Sequence, residues 1–274
     1  MQNTSENAKA ADAKPAEKKP ANAKPKQKPK SKRKSPPKQL RRLEMFYQPV
    51  FDVHRNMVVD YETSVRINDP KLGVLMPHAY IPVAEKSTQA ADLCKWALEE
   101  GCDAILRCEK RDVDINRLIL FTSMRYLTYK TFARQMIGIV EKKGVAPDKF
   151  CFNIEQSIFE EKKDIVLQNI KEVREYGFLV SIDDFGVEYT SLSHLGQYEV
   201  DYIGINDSML DNIQSEERAQ NMLQGIIDFA RKLETQTRIN GVETQEQADF
   251  LKAMGIDQMK GKLYGGPMPE KSIK

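Results

Sequence analysis

The sequence is poor in residues on which many enzymes and secreted proteins depend. Its 274 residues include 4 cysteines and 3 histidines. The cysteines form no CxxC pair and have no nearby set of histidines, which excludes a typical zinc site and indicates reduced, structural thiols. They are Cys94, Cys102, Cys108 and Cys151. The histidines are scattered along the chain, so none of them is a candidate catalyst. They are His54, His78 and His194.

Long apolar runs are also missing. The sequence contains no stretch of about 18 apolar residues, the length that a membrane-spanning helix needs. Its first segment lacks the apolar core of a signal peptide. These two absences predict a cytoplasmic protein.

Negative charge is scarce at the start of the chain. Residues 1–42 hold 14 Lys and Arg against 3 Asp and Glu, a net charge of +11, and they are rich in Pro and Ala. Because this segment has few large apolar side chains, we expect it to be a disordered basic tail. Residues 43–274 carry a net charge of −9 and are expected to form the folded domain.

The basic tail has no aromatic residues. It therefore offers no platform for base stacking, and any contact with nucleic acid or an anionic membrane is expected to rest on charge alone. Such binding would be non-specific and sensitive to salt. A solvated arm or tether is the alternative interpretation.

Strand-like and helix-like segments alternate from residue 46 onward. Strands are predicted at 46–53, 58–67, 118–121, 150–154, 178–183, 202–206, 237–241 and 259–264. Helices are predicted at 91–110, 131–143, 165–176, 215–233 and 245–254. About eight strands in one alternating series favour a closed, TIM-type β/α barrel over an open sheet. A short polar turn joins the first two strands, so we expect a hairpin that places one antiparallel strand in the barrel.

The most informative local pattern is an apolar, β-branched run that ends at Asp183 and Asp184, followed by Gly186. Adjacent carboxylates repel each other. Such a pair commonly binds a divalent cation, approaches a Lys or Arg, or has a raised pKa. A solvated turn after a strand is the alternative interpretation.

Other carboxylates lie at comparable places. Functional groups of β/α barrels lie at the carboxyl ends of the strands. Glu243 follows the predicted strand 237–241, and Glu62 lies within the predicted strand 58–67. Because converging carboxylates are the usual oxygen ligands of Mg²⁺ and Mn²⁺, the candidate metal ligands are Glu62, Asp183, Asp184 and Glu243.

Several short motifs, taken in order, resemble the EAL domain family of bacterial cyclic-di-GMP phosphodiesterases. They are Gln-Pro-Val at 48–50, Glu-Thr-Ser-Val-Arg at 62–66, Ile-Pro-Val-Ala-Glu at 81–85, Asp-Asp-Phe-Gly at 183–186, Tyr-Thr-Ser-Leu at 189–192, Gly-Val-Glu-Thr at 241–244, Lys-Gly at 260–261 and Pro-Met-Pro at 267–269. Each motif alone is weak, but the ordered set is specific. The resemblance covers about residues 46–269.

The resemblance implies a β/α barrel in which two divalent ions activate a water that attacks a phosphodiester of cyclic-di-GMP. It assigns the metal-site carboxylates to Glu62, Asp183, Asp184 and Glu243. It also implies that an active member would need Mg²⁺ or Mn²⁺.

Four positions of the implied catalytic site depart from the family pattern. Phe121 stands where the family has a ligand Asn, and Asn153 replaces a ligand Glu. Gly204 replaces the Lys that helps to orient the water, and Lys260 replaces a Gln. Phe has no lone pair and Asn brings a neutral carbonyl, so a filled two-metal site is not expected. The resemblance therefore implies no intact catalytic set and no resident cofactor.

Lys260 suggests what replaces the missing ions. A carboxylate cluster must still be neutralised, so our hypothesis is that the Lys260 ammonium points into the cluster in place of a metal ion. The alternative is that its side chain extends to solvent.

Ligand binding is a separate question. Arg66 matches the family Arg that contacts a ligand phosphate, Gln48 is retained, and Asp183 and Asp184 are candidate polar contacts. Glu188, in place of a family Gly, adds negative charge that disfavours an anionic dinucleotide. An ion pair between Arg66 and a barrel carboxylate is the alternative interpretation.

Three functions remain open. The first, which the altered positions favour, is a catalytically inactive EAL-domain protein of cyclic-di-GMP signalling that binds cyclic-di-GMP, a protein partner, or both. The second is an active or weakly active metal-dependent cyclic-di-GMP phosphodiesterase. The third is an adaptor that its basic tail docks to an anionic surface. A homodimer is compatible with the sequence.

Overall fold

The protein is described here from a computed structural model, in which residues 43–155, 162–186 and 198–274 are described. The basic tail, Glu188, His194 and the motif at 189–192 lie outside the described residues. The expectations for them therefore stay predictions.

Ten β-strands form one sheet in these ranges. They are β1 (Leu43–Asp52), β2 (Met57–Asp69), β3 (Gly73–Leu75), β4 (Arg117–Thr122), β5 (Phe150–Glu155), β6 (Leu179–Phe185), β7 (Tyr202–Ile205), β8 (Gln236–Ile239), β9 (Gln258–Met259) and β10 (Met268–Pro269). β-Branched and aromatic residues dominate β4 to β7, as is typical of strands that are covered on both faces.

Eight of these strands close a barrel. Around it the order is β1, β2, β4, β5, β6, β7, β8 and β9, and β9 pairs again with β1. β1 is antiparallel to both barrel neighbours, whereas the other adjacent barrel pairs are parallel. β3 and β10 add short antiparallel edges to β2 and β1. The predicted TIM-type barrel with one antiparallel strand is confirmed.

Helices cover the outside of the barrel. The described α-helices are α1 (Pro77–Ala84), α2 (Gln89–Glu109), α3 (Met124–Leu127), α4 (Phe132–Lys143), α5 (Lys163–Tyr176), α6 (Glu217–Lys232) and α7 (Gln245–Met254). Short 3-10 helices occur at Pro147–Lys149, Asp207–Leu210 and Glu270–Ser272. One face of α2, including Leu98, Cys102 and Ile105, is buried in the main apolar core. Helical periodicity in the sequence predicted this face because residues three and four apart share one side of a helix.

A smaller apolar cluster fills the inside of the barrel. Val50, Ile119, Cys151 and Tyr202 contribute to it from four different strands. Below them, at the amino-terminal end of the parallel strands, the buried Asp60 carboxylate accepts hydrogen bonds from Asn116 at 2.6 Å and Gln258 at 2.8 Å. The buried Asp60 carboxylate thus has the hydrogen-bond partners that a buried polar group needs. The candidate functional residues lie at the opposite end of the barrel, where the parallel strands end.

Most element ends differ from the sequence prediction by one to three residues, and two larger or functionally relevant differences concern the site. β6 continues past Asp183 to Phe185, so both carboxylates lie within the strand. The predicted strand 259–264 is wrong beyond Met259, because the chain then turns and its bonds become local, with the Tyr264 amide donating to the Gly261 carbonyl at 3.1 Å.

All four cysteines are free and buried. Within the described ranges, no helix combines the length and the apolar character needed to cross a bilayer.

Candidate functional site

The candidate residues meet at the carboxyl ends of the parallel strands. A cavity of about 180 Å³ lies there. Its polar wall contains Glu62, Asn153, Asp183 and Asp184. Its apolar wall contains Val65, Tyr80, Ile81, Leu93, Ala97 and Phe121. The cavity thus contains three of the carboxylates predicted from the strand ends, together with Phe121 and Asn153, which the family resemblance had singled out.

The Asp183 and Asp184 carboxylates are presented by an irregular part of β6. The pairing of β6 with β7 shifts register between Ile182 and Phe185, a bulge that contains both acidic residues. Asp184 has a φ of 56°, in the left-handed region that Asp tolerates better than most residues. Bulges beside functional sites re-aim side chains, and this one turns two neighbouring carboxylates towards the barrel mouth.

Asp183 is held by amide groups. Asn153 Nδ2 donates to Asp183 Oδ2 at 2.6 Å, and Asn240 Nδ2 donates to Asp183 Oδ1 at 3.4 Å. The Asn153 carbonyl in turn accepts a hydrogen bond from the buried Ser181 hydroxyl at 2.5 Å. Both ends of the Asn153 amide are therefore engaged in hydrogen bonds within the protein.

Gly204 makes room for the Asp183 carboxylate. A Cβ atom at position 204 would lie 2.2 Å from Asp183 Oδ1 and 3.2 Å from its Cα. The carboxylate thus occupies space that any other residue at this position would fill. The change from Lys to Gly, which the resemblance identified, therefore alters the position available to Asp183 as well as removing an amine.

Asp184 is bound on the other side of the bulge. Asn206 Nδ2 donates to Asp184 Oδ1 at 2.8 Å. The side chain reaches solvent, yet nearby protein atoms desolvate the carboxyl group and raise its pKa. The Asn206 hydrogen bond and the Lys260 charge lower this pKa, whereas Asp183 and Glu62 raise it, and the net direction is upward. Asp184 is thus more easily protonated than an ordinary Asp.

Glu62 forms an ion pair with Lys260. The Lys260 ammonium donates to Glu62 Oε2. The Lys260 side chain is 12% exposed and that of Glu62 is 26% exposed. The Lys260 side chain thus points towards the cluster of carboxylates and not to solvent. This is the orientation that our hypothesis from the sequence expected.

Glu243 does not join this group. Its side chain is 52% exposed, and Oε1 accepts a hydrogen bond from Lys262 at 2.5 Å. Among the described residues, no set of three or more His, Cys, Asp or Glu is arranged to hold a metal ion. The four carboxylates assigned by the resemblance thus divide into three at the cavity and one outside it.

The donor set does not fit two divalent ions. Mg²⁺ takes about six oxygen ligands in near-octahedral geometry. Here Phe121 offers none, the Asn153 amide is engaged at both ends, and Glu62 is paired with an ammonium. The side chains present satisfy one another instead of presenting free oxygens.

The two other candidate ligand residues lie around β1. Gln48 faces Glu62 across the β1–β2 pair, and its Nε2 donates to the Gly265 carbonyl at 3.2 Å. The Arg66 guanidinium lies 3.5 Å from the centre of the Phe46 ring, and its Nε is buried without a hydrogen-bond partner. The described residues provide no ion pair for Arg66, so the alternative interpretation from sequence is not seen there.

Sequence reasoning missed three residues of the site. They are Ser181, Asn206 and Asn240. Asn206 and Asn240 lie where the predicted strands 202–206 and 237–241 end, and a polar amide after an apolar run was the available signal. Ser181 had none, because a small hydroxyl inside a strand is common in barrels.

The site can be compared with known proteins. A family model described as the EAL domain matches residues 34–267. The chain is similar to the uncharacterized protein y4lL of Sinorhizobium fredii, with 28% identity over 227 residues, covering 83% of this chain and 27% of that protein. It is also similar to the cyclic di-GMP phosphodiesterase PdeR of Escherichia coli K12, with 28% identity over 229 residues, covering 83% of this chain and 34% of PdeR. The chain thus spans about a third or less of these relatives.

The fold is similar to that of a solved PaMucR phosphodiesterase in complex with c-di-GMP. The TM-score is 0.77 at 23% sequence identity, covering 85% of this chain and 95% of the other. At this identity the likeness concerns the fold alone.

Proposed function

Because this chain belongs to the EAL domain family, we propose that it acts in cyclic-di-GMP signalling by binding without hydrolysis. The bound molecule is cyclic-di-GMP, a protein partner, or both. The names of PdeR and of the PaMucR complex support the signalling context.

One observation is the main support for the proposed absence of hydrolysis. The Asp183 carboxylate lies over Gly204, in space that a side chain at 204 would need, and Asn153 and Asn240 hold it there. The family resemblance places a water-orienting Lys at position 204, and a positioned group of this kind contributes about 10²- to 10⁴-fold to rate. The site therefore has neither that amine nor the space for it.

Arg66 supports the retention of ligand binding. Its guanidinium lies over the Phe46 ring, and its buried Nε–H has no partner. An arginine in this state gains a charge-assisted hydrogen bond when an anion such as a phosphate arrives. The enclosed cavity of about 180 Å³ is smaller than the roughly 300–1,000 Å³ of ordinary ligand pockets. A dinucleotide would thus lie across the barrel mouth, with at most a part of it inside the cavity.

A weak metal-dependent phosphodiesterase is the second candidate. Glu62, Asp183 and Asp184 still line one cavity, and these are three of the carboxylates that the resemblance assigns to the metal site. This activity would require a divalent ion to displace Lys260 from Glu62.

Titration calorimetry with cyclic-di-GMP, with and without Mg²⁺, tests the proposal together with a hydrolysis assay in Mg²⁺ and in Mn²⁺. We expect saturable binding in the micromolar range and no product. Arg66→Ala should weaken binding at least about tenfold, the loss of a charged hydrogen bond. Arg55→Ala is the matched control, since Arg55 is exposed in the hairpin turn after β1.

The outcomes separate the candidates. Product formed by the unaltered chain would reject the proposal in favour of the phosphodiesterase. Absence of heat at high ligand concentration would remove cyclic-di-GMP as the ligand and leave a protein-binding barrel. Equal weakening by Arg66→Ala and Arg55→Ala would show that Arg66 is not part of the binding site.

A further inference from the structure

We infer that Lys260 is a built-in cation that takes the place of a divalent ion by pairing with Glu62 at this barrel mouth. The inference concerns the site of the proposed function and rests on the same family membership. It is tested on the ligand-free protein, so its failure and that of the proposed function are distinguishable.

The backbone around Lys260 is fixed on both sides. The Lys260 amide donates to the Ile239 carbonyl at 2.9 Å, and the Val242 amide donates to the Lys260 carbonyl at 3.1 Å. These bonds tie the residue after β9 to the end of β8. Lys260 thus starts from a rigid point at the barrel rim, and its ammonium reaches across to Glu62 on β2.

The next residue prevents the turn from shifting. A Cβ atom on Gly261 would lie 2.0 Å from the Val242 carbonyl oxygen and 2.4 Å from the Val242 nitrogen. This close approach is possible for glycine alone. The Leu263 amide also donates to the Val242 carbonyl, at 3.2 Å. The position of Lys260 is therefore set by backbone packing and does not depend on the ion pair itself.

The available ligands, and not the surrounding charges, favour an ammonium over a divalent ion. Phe121 offers no ligand atom and the Asn153 amide is engaged with Ser181 and Asp183, so Glu62 is the carboxylate that pairs with the Lys260 ammonium. A single ammonium matches a single carboxylate and needs no octahedral shell. Asp183 already takes its hydrogen bonds from two neutral amides.

An ordinary ion pair would show the same contact, so contact alone does not establish replacement of a metal. The two interpretations differ in whether a divalent ion can replace the Lys260 ammonium. If Lys260 occupies a cation position, its removal leaves Glu62 half-buried and unpaired beside Asp183 and Asp184, and a divalent ion then binds there. If Lys260 is only an ordinary ion-pair partner of Glu62, its removal creates no affinity for a metal ion.

The experiment measures thermal unfolding of the full chain at increasing MnCl₂ concentrations. The variants are Lys260→Gln, Lys260→Met and the double variant Lys260→Gln/Glu62→Gln. Lys262→Gln is the matched control, because it removes the same charge from the same turn at a side chain that is 81% exposed. Lys260→Met keeps the test available if the amide variant folds poorly.

We expect Mn²⁺ to raise the Tm of the two single Lys260 variants by about 3–6 °C at ten times the dissociation constant. The unaltered chain, Lys262→Gln and the double variant should not respond, the last because it lacks the Glu62 carboxylate. Two results would overturn the inference. One is an equal Mn²⁺ response in the unaltered chain, and the other is no response in either Lys260 variant at millimolar Mn²⁺.

Discussion

The relation between Gly204 and Asp183 shows how one substitution changes the role of a neighbour. The absence of a side chain at position 204 leaves space that the Asp183 carboxylate fills. Asn153, itself a replacement of a family Glu, supplies the hydrogen bond that keeps it there. These two departures from the family pattern, Asn153 and Gly204, thus both adjoin Asp183, and together they stabilise one arrangement of its carboxylate.

This contact predicts the cost of refilling position 204. Gly204→Ala should lower the free energy of unfolding by about 1–3 kcal/mol, because Asp183 must rotate away and lose hydrogen bonds from Asn153 and Asn240. Urea denaturation followed by circular dichroism measures this change. The same reasoning means that restoring Lys at 204 requires Asp183 to move first.

Two further variants make the prediction specific. Gly225→Ala, on α6, is the control, since a Cβ atom there meets nothing within 4 Å. It should stabilise by about 0.5–1 kcal/mol, as Gly to Ala does in a helix interior. In an Asp183→Ala background, Gly204→Ala should lose most of its cost. If Gly204→Ala is as harmless as Gly225→Ala in the native background, Asp183 is not held as described.

For single residues, the sequence identified which positions of the site are altered but did not predict most of their side-chain contacts. Phe121, Asn153, Gly204 and Lys260 were all identified by position. That Asn153 binds Asp183, or that Glu243 turns away to Lys262, could not be predicted, because these partners are 30 and 19 residues apart in the chain. Such pairings depend on strand register and side-chain rotamer, which periodicity does not determine.

Among the elements, α7 determines the backbone position of Glu243, which lies in the segment between β8 and this helix. Thr244 is its N-cap, and its side chain accepts a hydrogen bond from the Gln247 amide at 3.2 Å. The Gln247 side chain in turn accepts from the amides of Glu243, at 2.8 Å, and Thr244, at 3.2 Å. This capping box satisfies amides that the first helical turn leaves unpaired, and it fixes the backbone of Glu243.

Loss of the cap should therefore be measurable. Thr244→Ala is expected to cost about 1 kcal/mol of unfolding free energy, the usual value for an N-cap hydroxyl. Thr131→Ala is the matched control, because Thr131 is the N-cap of α4 but makes no side-chain cap hydrogen bond. Its effect should stay within about 0.5 kcal/mol. Chemical denaturation of both variants checks this, and equal losses would mean that the capping box adds nothing.

The helices and strands were the part of this structure that the sequence predicted best. The helix 245–254 was predicted with the bounds that the structure has, since a polar cap precedes an apolar period and Gly255 follows it. The hairpin of β1 and β2 was predictable from its polar turn. The strand predicted at 259–264 failed because its apolar residues pack in a turn, where close approach of Gly261 to Val242 replaces ladder pairing. Such backbone packing leaves no signal in hydrophobic periodicity.

For the whole molecule, the most unusual property is the separation of charge along the chain. Residues 1–42 carry +11 and residues 43–274 carry −9, so the total of +2 conceals both parts. A polycation releases counterions when it binds a polyanion, which makes such binding strong at low salt and independent of sequence. The tail is thus expected to account for any affinity of this protein for nucleic acid or anionic membranes.

Removal of the tail tests this expectation. The full chain should bind duplex DNA at 50 mM salt and lose about 10³- to 10⁵-fold in affinity by 200 mM, the range for 6–10 phosphate contacts. Residues 43–274 alone should not bind, because their net charge has the same sign as that of the phosphates.

A full-length variant with residues 1–42 in shuffled order is the control. It should bind as the native chain does, since charge and not motif provides the affinity. Loss of binding on shuffling would indicate a specific motif, and binding by residues 43–274 would place the contact on the folded domain.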